Sequence, residues 1–256
     1  MIIDAHVHFD EHVDGSAAGA AGELARQARE AGIARVLALH LDVQPWSPEE
    51  VSEAIASHEE IKAFVNVHPE HPDAEQILRN AIENLGFIGL KLHPRLQEFA
   101  VDSAQTVRLV RIAGEMGIPV LFDAFPDGTH LMQGFSPMRY ADLAQKCSQT
   151  KIIWAHMGGH HVIDFMMLAK RLPNVYMDMS YSLLYYRGSS VPMNMVYAMR
   201  SMRFERVFYG SDYPDRPLAQ SLKSSLEVLR KYGVADAELQ MLMYSNVANC
   251  FGWDNL

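Results

Sequence analysis

The sequence predicts a parallel (β/α)₈ barrel, and three observations lead to that fold class. Short β-branched or apolar segments alternate with longer segments whose apolar residues recur every three or four positions, as in amphipathic helices. Eight strand candidates fit in the 256 residues, a typical length for an eightfold barrel. The first strand-to-helix turn lacks the glycine-rich fingerprint of the rival doubly wound sheet. No repeat or low-complexity linker divides the chain, so we expect one domain over residues 1–256.

Each strand is predicted from a short apolar run that is bounded by polar or turn residues. In chain order the candidates are MIIDAHVHF, RVLALHL, IKAFVNVH, FIGLKLH, IPVLFD, KIIWAH, NVYMDMS and RVFYGSD. Helical spacing is found between them in AGELARQAREAG, DAEQILRNAIENLG, SAQTVRLVRIAGEMG and DFMMLAKRLP, and several of these end at Gly or Pro, which stop helices. A further amphipathic segment, DAELQMLMYSNVANCFGW, ends the chain.

Composition excludes several classes of function. The content of 49% hydrophobic and 21% charged residues fits a folded globular protein. A net charge of −9 argues against binding to nucleic acid or to an acidic membrane surface. The two cysteines, Cys147 and Cys250, form no CxxC pattern and are expected to be free thiols. Neither a signal peptide nor an apolar run long enough to span a membrane is recognisable, so a cytoplasmic location is expected.

Residues with metal-binding or acid–base chemistry stand at the ends of the strand candidates. In a barrel these carboxyl ends converge on one rim, where the chemistry takes place. In strand order the residues are His6 and His8, His40, His68, Lys91 and His93, Asp123, His156, Ser180, and Asp212. Six of the 12 histidines therefore fall at one rim. Because side chains alternate along a strand, His6 and His8 share a face. Together with Asp212 they predict a divalent metal site.

The other histidines have simpler interpretations. His40 and His68 are expected to pack or to form hydrogen bonds near the pocket wall, rather than to bind metal. His160 and His161 stand at the start of the sixth helix, where they could contact substrate or merely cap the helix.

Four motifs, DAHVHF, GLKLHP, WAHMGG and YGSDYP, resemble the amidohydrolase superfamily when taken in order. The resemblance extends along the whole chain and is strongest to the branch that contains aminocarboxymuconate semialdehyde decarboxylase and related decarboxylases and lactonases. The closing SNVANCFGW also resembles the C-terminal helix of that branch. The resemblance implies a distorted (β/α)₈ barrel that holds one or two divalent ions, commonly zinc.

The resemblance also implies roles for individual residues. His6 and His8 match the first-strand metal ligands of the family. Asp212 matches the eighth-strand aspartate, which binds metal and takes a proton from the attacking water. His156 matches the sixth-strand histidine, which activates water or polarises substrate. We therefore expect one Zn²⁺ per chain, with Mn²⁺ or Fe²⁺ as alternatives.

The sequence departs from the family after the fifth strand, where members usually carry a metal-binding histidine and this chain has Asp123. A carboxylate can also bind zinc or manganese, which predicts the ligand set His6, His8, Asp123 and Asp212. Alternatively, Asp123 serves substrate binding and the metal site is weakened. A third option is that His130, in the same loop, supplies the missing imidazole.

Substrate-binding candidates follow the fourth and eighth strands. Lys91 is expected to hold a substrate carboxylate or phosphate, and the alternative is a carboxylated lysine that bridges two ions. His93, Arg95 and Tyr213 are further candidates. Arg187 and Arg216 are either part of the same anion clamp or solvated loop charges. Aromatic residues at the rim either line an apolar pocket or pack beneath the loops: Phe125, Tyr181, Tyr185, Tyr186 and Tyr213.

The function predicted from these features is metal-dependent hydrolysis of a small amide, ester or lactone by activated water. The first alternative is a nonoxidative decarboxylase, a carbon–carbon lyase that uses the same metal. The second is a catalytically silent barrel with a binding role. The expected partner is a small, carboxylate-bearing substrate. A homodimer is expected from the branch, and the Met-rich segment VPMNMVYAMRSM is interpreted as core or as a subunit contact.

Overall fold

The computed structural model describes residues 1–253 and contains eight parallel strands that pair in chain order. The strands are β1 (Ile3–Val7), β2 (Arg35–Leu39), β3 (Ile61–Asn66), β4 (Gly89–Leu92), β5 (Val120–Phe122), β6 (Ile152–Trp154), β7 (Val175–Asp178) and β8 (Val207–Phe208). Backbone hydrogen bonds from Ala5 N to Tyr209 O (2.9 Å) and from His8 N to Tyr213 O (2.7 Å) join β1 to the β8 segment. The predicted (β/α)₈ barrel is confirmed. The last three residues of the expected domain, 254–256, lie outside the described residues.

Helices cover the outside of the barrel and connect its strands. They are α1 (Ala17–Glu30), α2 (Pro48–Ile55), α3 (Ala74–Glu83), α4 (Pro94–Gln97), α5 (Ala104–Glu115), α6 (Gly128–Met132), α7 (Pro137–Lys146), α8 (Val162–Ala169), α9 (Ser182–Tyr185), α10 (Val191–Ser201), α11 (Leu218–Lys231), α12 (Asp236–Gln240) and α13 (Asn246–Phe251). The amphipathic segment at the end of the sequence forms a continuous helical run, in which a single π-helical turn over Met241–Ser245 lies between α12 and α13.

Two apolar clusters form the core. The larger one lies between the strands and the surrounding helices. The smaller one fills the barrel interior with side chains such as Leu37, Phe64 and Leu121, and Val247 and Cys250 of α13 belong to it. A Cβ atom at Gly89 would overlap the ring of Phe64, so glycine is needed there to admit that ring. The interior is therefore packed beneath the rim, and the space for chemistry lies at the carboxyl ends of the strands.

Strand β1 carries one extra residue relative to β2. Asp4 pairs with Val36 and Val7 pairs with Ala38, so three steps along β1 match two along β2. This is a β-bulge, a device that re-aims the side chains that follow it. Ala5 joins the inner cluster while Val7 joins the outer one. Ile3 and Ala5 fill the barrel interior. The bulge between Asp4 and Val7 brings His6 to the site at the rim.

The Met-rich segment forms α10, which has two contrasting faces. Met195 and Met199 are buried in the outer core, whereas Met193 and Tyr197 are more than half exposed. The core interpretation is confirmed for one face, and a subunit contact stays a prediction for the other. Among residues 1–253, no helix combines the length and apolar character required to cross a membrane.

Candidate metal centre

Three of the sequence-predicted residues converge at the rim of the barrel. His6 Nε2 lies 3.1 Å from Asp212 Oδ1, and His8 Nε2 lies 3.6 Å from the same oxygen. The three side chains offer ligand atoms that all lie within 4.8 Å of one another. Asp212 reaches this position from a left-handed backbone conformation, with φ of 61°, and its N–H donates to His6 O at 2.9 Å. The structure therefore brings together residues that are more than 200 positions apart in the chain.

Hydrogen bonds fix the orientation of both imidazoles. His6 Nδ1 lies 3.0 Å from Asp178 Oδ2, and His8 Nδ1 lies 2.9 Å from the carbonyl oxygen of Leu39. A carboxylate and a carbonyl can only accept, so each Nδ1 carries the proton and donates. The Nε2 atoms of both rings therefore face Asp212. Within the described part of the chain, the buried Nε2 of His6 has no hydrogen-bond partner although Asp212 is so close.

These atoms fit a divalent cation. Two imidazole nitrogens and one carboxylate match catalytic zinc sites, which use three protein ligands and leave one position open. Burial favours neutral His6, but the charge of Asp178 and the hydrogen bonds to Asp178 and Asp212 together raise the pKa of His6 to about 9. Burial also opposes ionisation of Asp212, yet His6 and His8 hold the pKa of that carboxyl well below its usual range. The carboxylate of Asp212 is thus ionised, and a buried nitrogen without a hydrogen bond among the described residues faces it.

His156 lies beside this cluster on a tight left-handed turn after β6. Its φ is 62°, and the next three residues also have positive φ. Such conformations are strained for residues other than glycine, by about 1–3 kcal/mol each, and are found at functional sites. A hydrogen bond from His156 N to Asp178 Oδ1 (3.1 Å) anchors the turn. The His156 ring lies 4.9 Å from the His6 ring, centroid to centroid.

Asp123, at the end of β5, is fully buried but contacts a different set of groups. Its Oδ1 lies 3.2 Å from His156 Nε2 and its Oδ2 lies 3.6 Å from His93 Nδ1. Asp123 belongs to neither group of three converging ligand atoms found among residues 1–253. Burial disfavours its charge, but His156 and Lys91 hold the pKa of Asp123 well below its usual value. The geometry pairs Asp123 with His156 more closely than with the His6–His8–Asp212 cluster.

The predicted substrate-binding residues after β4 lie around Asp123. Lys91 is only 1% exposed, and burial lowers its pKa, although nearby carboxylates oppose that change. Burial lowers the pKa of His93 to about 3, so this imidazole is neutral. Arg95 pairs with Asp127 at 3.0 Å and lies 3.8 Å from Asp123. Its Nε is buried without a hydrogen-bond partner among the described residues.

Aromatic side chains form a wall next to His156. Phe125 lies 5.8 Å from the His156 ring and 5.0 Å from the Tyr181 ring, centroid to centroid, in edge-to-face arrangements. Tyr181 stacks on Tyr185 at 4.8 Å. Tyr186 donates or accepts a hydrogen bond with His160 Nδ1 at 3.1 Å. This wall gives the rim an apolar surface beside the candidate acid–base residue.

Other candidates lie away from the converging atoms. Tyr213 is 3% exposed and packs in the outer core cluster. His130 is bonded through Nδ1 to Phe125 O at 3.1 Å and packs edge-on against Phe135. His40 and His68 bond to backbone carbonyls of Trp46 and Gln97 at 3.0 and 2.8 Å.

Sequence reasoning overlooked two carboxylates. Asp178 accepts from His6, His156 and Ser180, and Asp4 Oδ1 accepts from His6 N (3.2 Å) and Ser211 N (2.9 Å) at the β1 bulge. Both are fully buried. The sequence did contain a signal for both residues, namely an aspartate inside a strand candidate that is predicted to be buried. A carboxylate is rarely buried unless it is paired, so each aspartate predicts a partner nearby. Gly210 also matters, since a Cβ there would overlap His6 and Ser180.

Comparisons with solved structures find the same fold at low sequence identity. A Pseudomonas putida protein assigned as a 2-pyrone-4,6-dicarboxylic acid hydrolase is 18% identical, with a TM-score of 0.73 over 100% of this chain and 99% of that one. A zinc-bound amidohydrolase from Burkholderia multivorans is 15% identical, with a TM-score of 0.70 over 98% and 99%. The 5-carboxyvanillate decarboxylase of Sphingomonas paucimobilis is 13% identical, with a TM-score of 0.65 over 98% of both chains.

A comparison with curated proteins gave no match. The family model described as amidohydrolase, in contrast, matches residues 3–253, which is nearly the whole sequence. The predicted superfamily is thereby confirmed, and the chain belongs to the amidohydrolase family.

Proposed function

We propose that this chain is a metal-dependent hydrolase of a small, carboxylate-bearing lactone, ester or amide. The observation that carries the proposal is the convergence of His6 Nε2, His8 Nε2 and Asp212 within 4.8 Å at the barrel rim. These three residues would hold one divalent ion, for which zinc is proposed and Mn²⁺ or Fe²⁺ are alternatives. When bound, such an ion polarises a carbonyl oxygen and lowers the pKa of water toward neutrality.

Asp212 and His156 are the proposed proton-handling groups. Asp212 is ionised, and its side chain is 17% exposed at the rim, so it can accept a proton from an attacking water and pass it to a leaving group. His156 Nδ1 faces Ser180 O at 3.1 Å, which leaves Nε2 toward Asp123 and the site. His156 would orient water or polarise the substrate. Asp123, predicted from the sequence as a fourth ligand, lies outside the three converging ligand atoms, and we assign it instead to partner His156.

Lys91 and Arg95 are the proposed recognition groups for the substrate carboxylate. Lys91 forms no ion pair within 4.0 Å in the described chain, and Arg95 retains an unpartnered Nε. A buried cation without a full set of acceptors is stabilised by an anionic ligand. Phe125 and Tyr181 then contact the remainder of the substrate and exclude water from it.

A second candidate function is nonoxidative decarboxylation at the same site. Loss of CO₂ leaves a carbanion that must be protonated, which requires a proton donor beside the reacting carbon. His156, held 3.2 Å from the Asp123 carboxylate, is placed to be that donor. The Sphingomonas paucimobilis protein is a decarboxylase, and its similarity to this chain is one of fold.

The proposal is tested by metal analysis followed by activity screening. Purified protein should contain about one divalent ion per chain, and removal with a strong chelator should abolish turnover that zinc restores. A panel of carboxylate-bearing lactones, esters and amides should give acid release, whereas unsaturated and aromatic acids report CO₂ release. Full turnover after complete metal removal would overturn the metal-dependent mechanism. Metal binding without turnover on either panel would favour the silent-barrel alternative.

A further inference from the structure

The carboxylate of Asp178 connects two parts of the rim. Its Oδ2 accepts from His6 Nδ1 at 3.0 Å. Its Oδ1 accepts from the backbone N–H groups of His156 (3.1 Å) and Ser180 (3.0 Å), and also from the Ser180 hydroxyl. Asp178, His6 and Ser180 are fully buried, and His156 is 5% exposed. One buried side chain thus contacts both a candidate ion ligand and the turn that carries the candidate acid–base residue.

We propose that Asp178 is a positioning residue that selects the metal-binding tautomer of His6 and, with the same side chain, holds the His156 turn. The inference rests on the proposed metal site. An imidazole binds a metal through the nitrogen that carries no proton, and its partner on the other nitrogen decides which one that is. Because Asp178 accepts at Nδ1, the proton that a metal ion would displace is the one on Nε2, which faces Asp212 at 3.1 Å.

The two oxygens of Asp178 are not interchangeable, and this asymmetry gives a specific test. Backbone N–H groups are permanent donors, so whatever replaces Oδ1 must accept from His156 N and Ser180 N. In Asp178→Asn the amide oxygen must therefore take the Oδ1 position. Its NH₂ group then faces His6 Nδ1 and donates to it. His6 is forced to carry its proton on Nε2, and the ligand lone pair is lost.

A purely structural role predicts the opposite ranking of variants. If Asp178 only supports the turn, the isosteric D178N should bind zinc nearly as well as wild type, and D178A should be the poorer variant. If Asp178 acts through the tautomer, D178N should be the poorer one. D178A introduces no new donor, and the Ser180 hydroxyl, 3.1 Å from His6 Nδ1, can accept the proton of that nitrogen, so the ring can still present Nε2. The order of zinc affinities therefore distinguishes the two roles.

The experiment measures zinc affinity by competition with a chromophoric chelator in wild type, D178N, D178A and S180A, alongside thermal unfolding of each. We expect D178N to bind zinc about 10–100-fold more weakly than wild type. D178A should lie between them. S180A removes the hydroxyl 3.1 Å from His6 Nδ1 but retains the Asp178 carboxylate 3.0 Å from it, and should stay within about threefold of wild type. If D178A fails to fold, the comparison of zinc affinity between D178N and S180A still distinguishes the tautomer role from a purely structural one.

The outcomes separate this inference from the proposed function. Wild-type protein that binds no zinc would remove the proposed metal site itself. Wild type that binds zinc while D178N binds it equally well would overturn the tautomer role alone. Because affinity is measured without turnover, neither result depends on knowing the substrate.

Discussion

The two sides of the barrel mouth are built on different principles. On the β1/β8 side, His6, His8 and His156 each have Nδ1 bonded to a fixed acceptor, namely Asp178, Leu39 O and Ser180 O. On the β4/β5 side, both oxygens of Asp123 and the Nε of Arg95 are buried and form no hydrogen bonds among the described residues. The first side is preorganised to present lone pairs to a cation. The second side holds opposite charges that form ion pairs but leave these buried atoms without hydrogen bonds, as expected where a polar ligand is to bind.

The largest effect is expected on the β1/β8 side, from Asp212→Asn. An amide cannot accept the proton from water, and we expect kcat to fall on the order of 10²–10⁴-fold while thermal unfolding changes little. The assay is turnover of the zinc-loaded enzyme on its best screened substrate. Asp215→Asn is the matched control, because Asp215 lies three residues further on and pairs with Arg216 at the surface. Unchanged kcat in D212N would remove the proton-acceptor role.

A smaller effect on metal binding is expected from Asp123→Asn on the β4/β5 side. The geometry places Asp123 beside His156, outside the three converging ligand atoms. We therefore expect D123N to retain about one zinc per chain with less than about tenfold loss of affinity, well short of removing a zinc ligand. Turnover should still fall, because His156 loses its partner. Metal analysis gives the zinc content of D123N, and chelator competition gives its zinc affinity. Loss of zinc from D123N would instead establish Asp123 as the fourth ligand.

The sequence predicted the β1/β8 side far better than the contacts that orient it. Strand ends and alternation are local properties, so the rim positions of His6, His8 and Asp212 could be inferred from short motifs. The partner of each imidazole could not, because Asp178 lies 172 residues from His6 and meets it only when β7 and β1 close in space. The β1 bulge also depends on pairing with β2, which the alternation in DAHVHF does not reveal.

On the β4/β5 side the sequence identified the residue types but not their arrangement. Lys91, His93 and Arg95 were grouped correctly as neighbours of one another after one strand. That Asp123 lies nearest to His156 depends on how β5 and β6 present their ends, a tertiary feature. Tyr213 was placed at the rim by its position in YGSDYP, yet its ring packs in the outer core. Position along a strand predicts the rim, whereas side-chain direction after the strand ends does not follow from alternation.

A moderate effect on substrate binding is expected from Arg95→Lys. Lysine retains the charge but loses the planar guanidinium, whose Nε has no hydrogen-bond partner among residues 1–253. We expect KM for carboxylate-bearing substrates to rise about tenfold, equivalent to about 1.4 kcal/mol, with kcat little changed. Arg139→Lys is the control, because Arg139 pairs with Asp102. A KM that rises equally for an uncharged methyl ester of the same substrate would contradict carboxylate recognition.

The smallest expected effect is a pair of opposite pH dependences in protein stripped of metal. Burial lowers the pKa of His93 from 6.5 to about 3, so between these values the unfolded chain binds a proton that the folded chain does not. The contribution of neutral His93 to the free energy of unfolding is therefore fully present above pH 6.5. It is lost as the pH falls, at a rate of at most about 1.4 kcal/mol per pH unit. His6 behaves in the opposite way. Despite burial, Asp178 raises its pKa to about 9, so its contribution is present below pH 6.5 and is lost as the pH rises toward 9.

Urea unfolding of metal-free wild type, His93→Gln and His6→Gln across pH 4.5–9 separates the two imidazoles. The difference in unfolding free energy between wild type and H93Q should increase from about pH 4.5 to 6.5 and then level off. The difference between wild type and H6Q should be level below about pH 6.5 and decrease above it. Taking differences between variants cancels the other groups that titrate in the same range. If the two differences change with pH in the same direction, both sides of the barrel mouth share one electrostatic environment. That result would contradict the contrast between the oriented imidazoles of the β1/β8 side and the buried charged atoms without hydrogen bonds on the β4/β5 side.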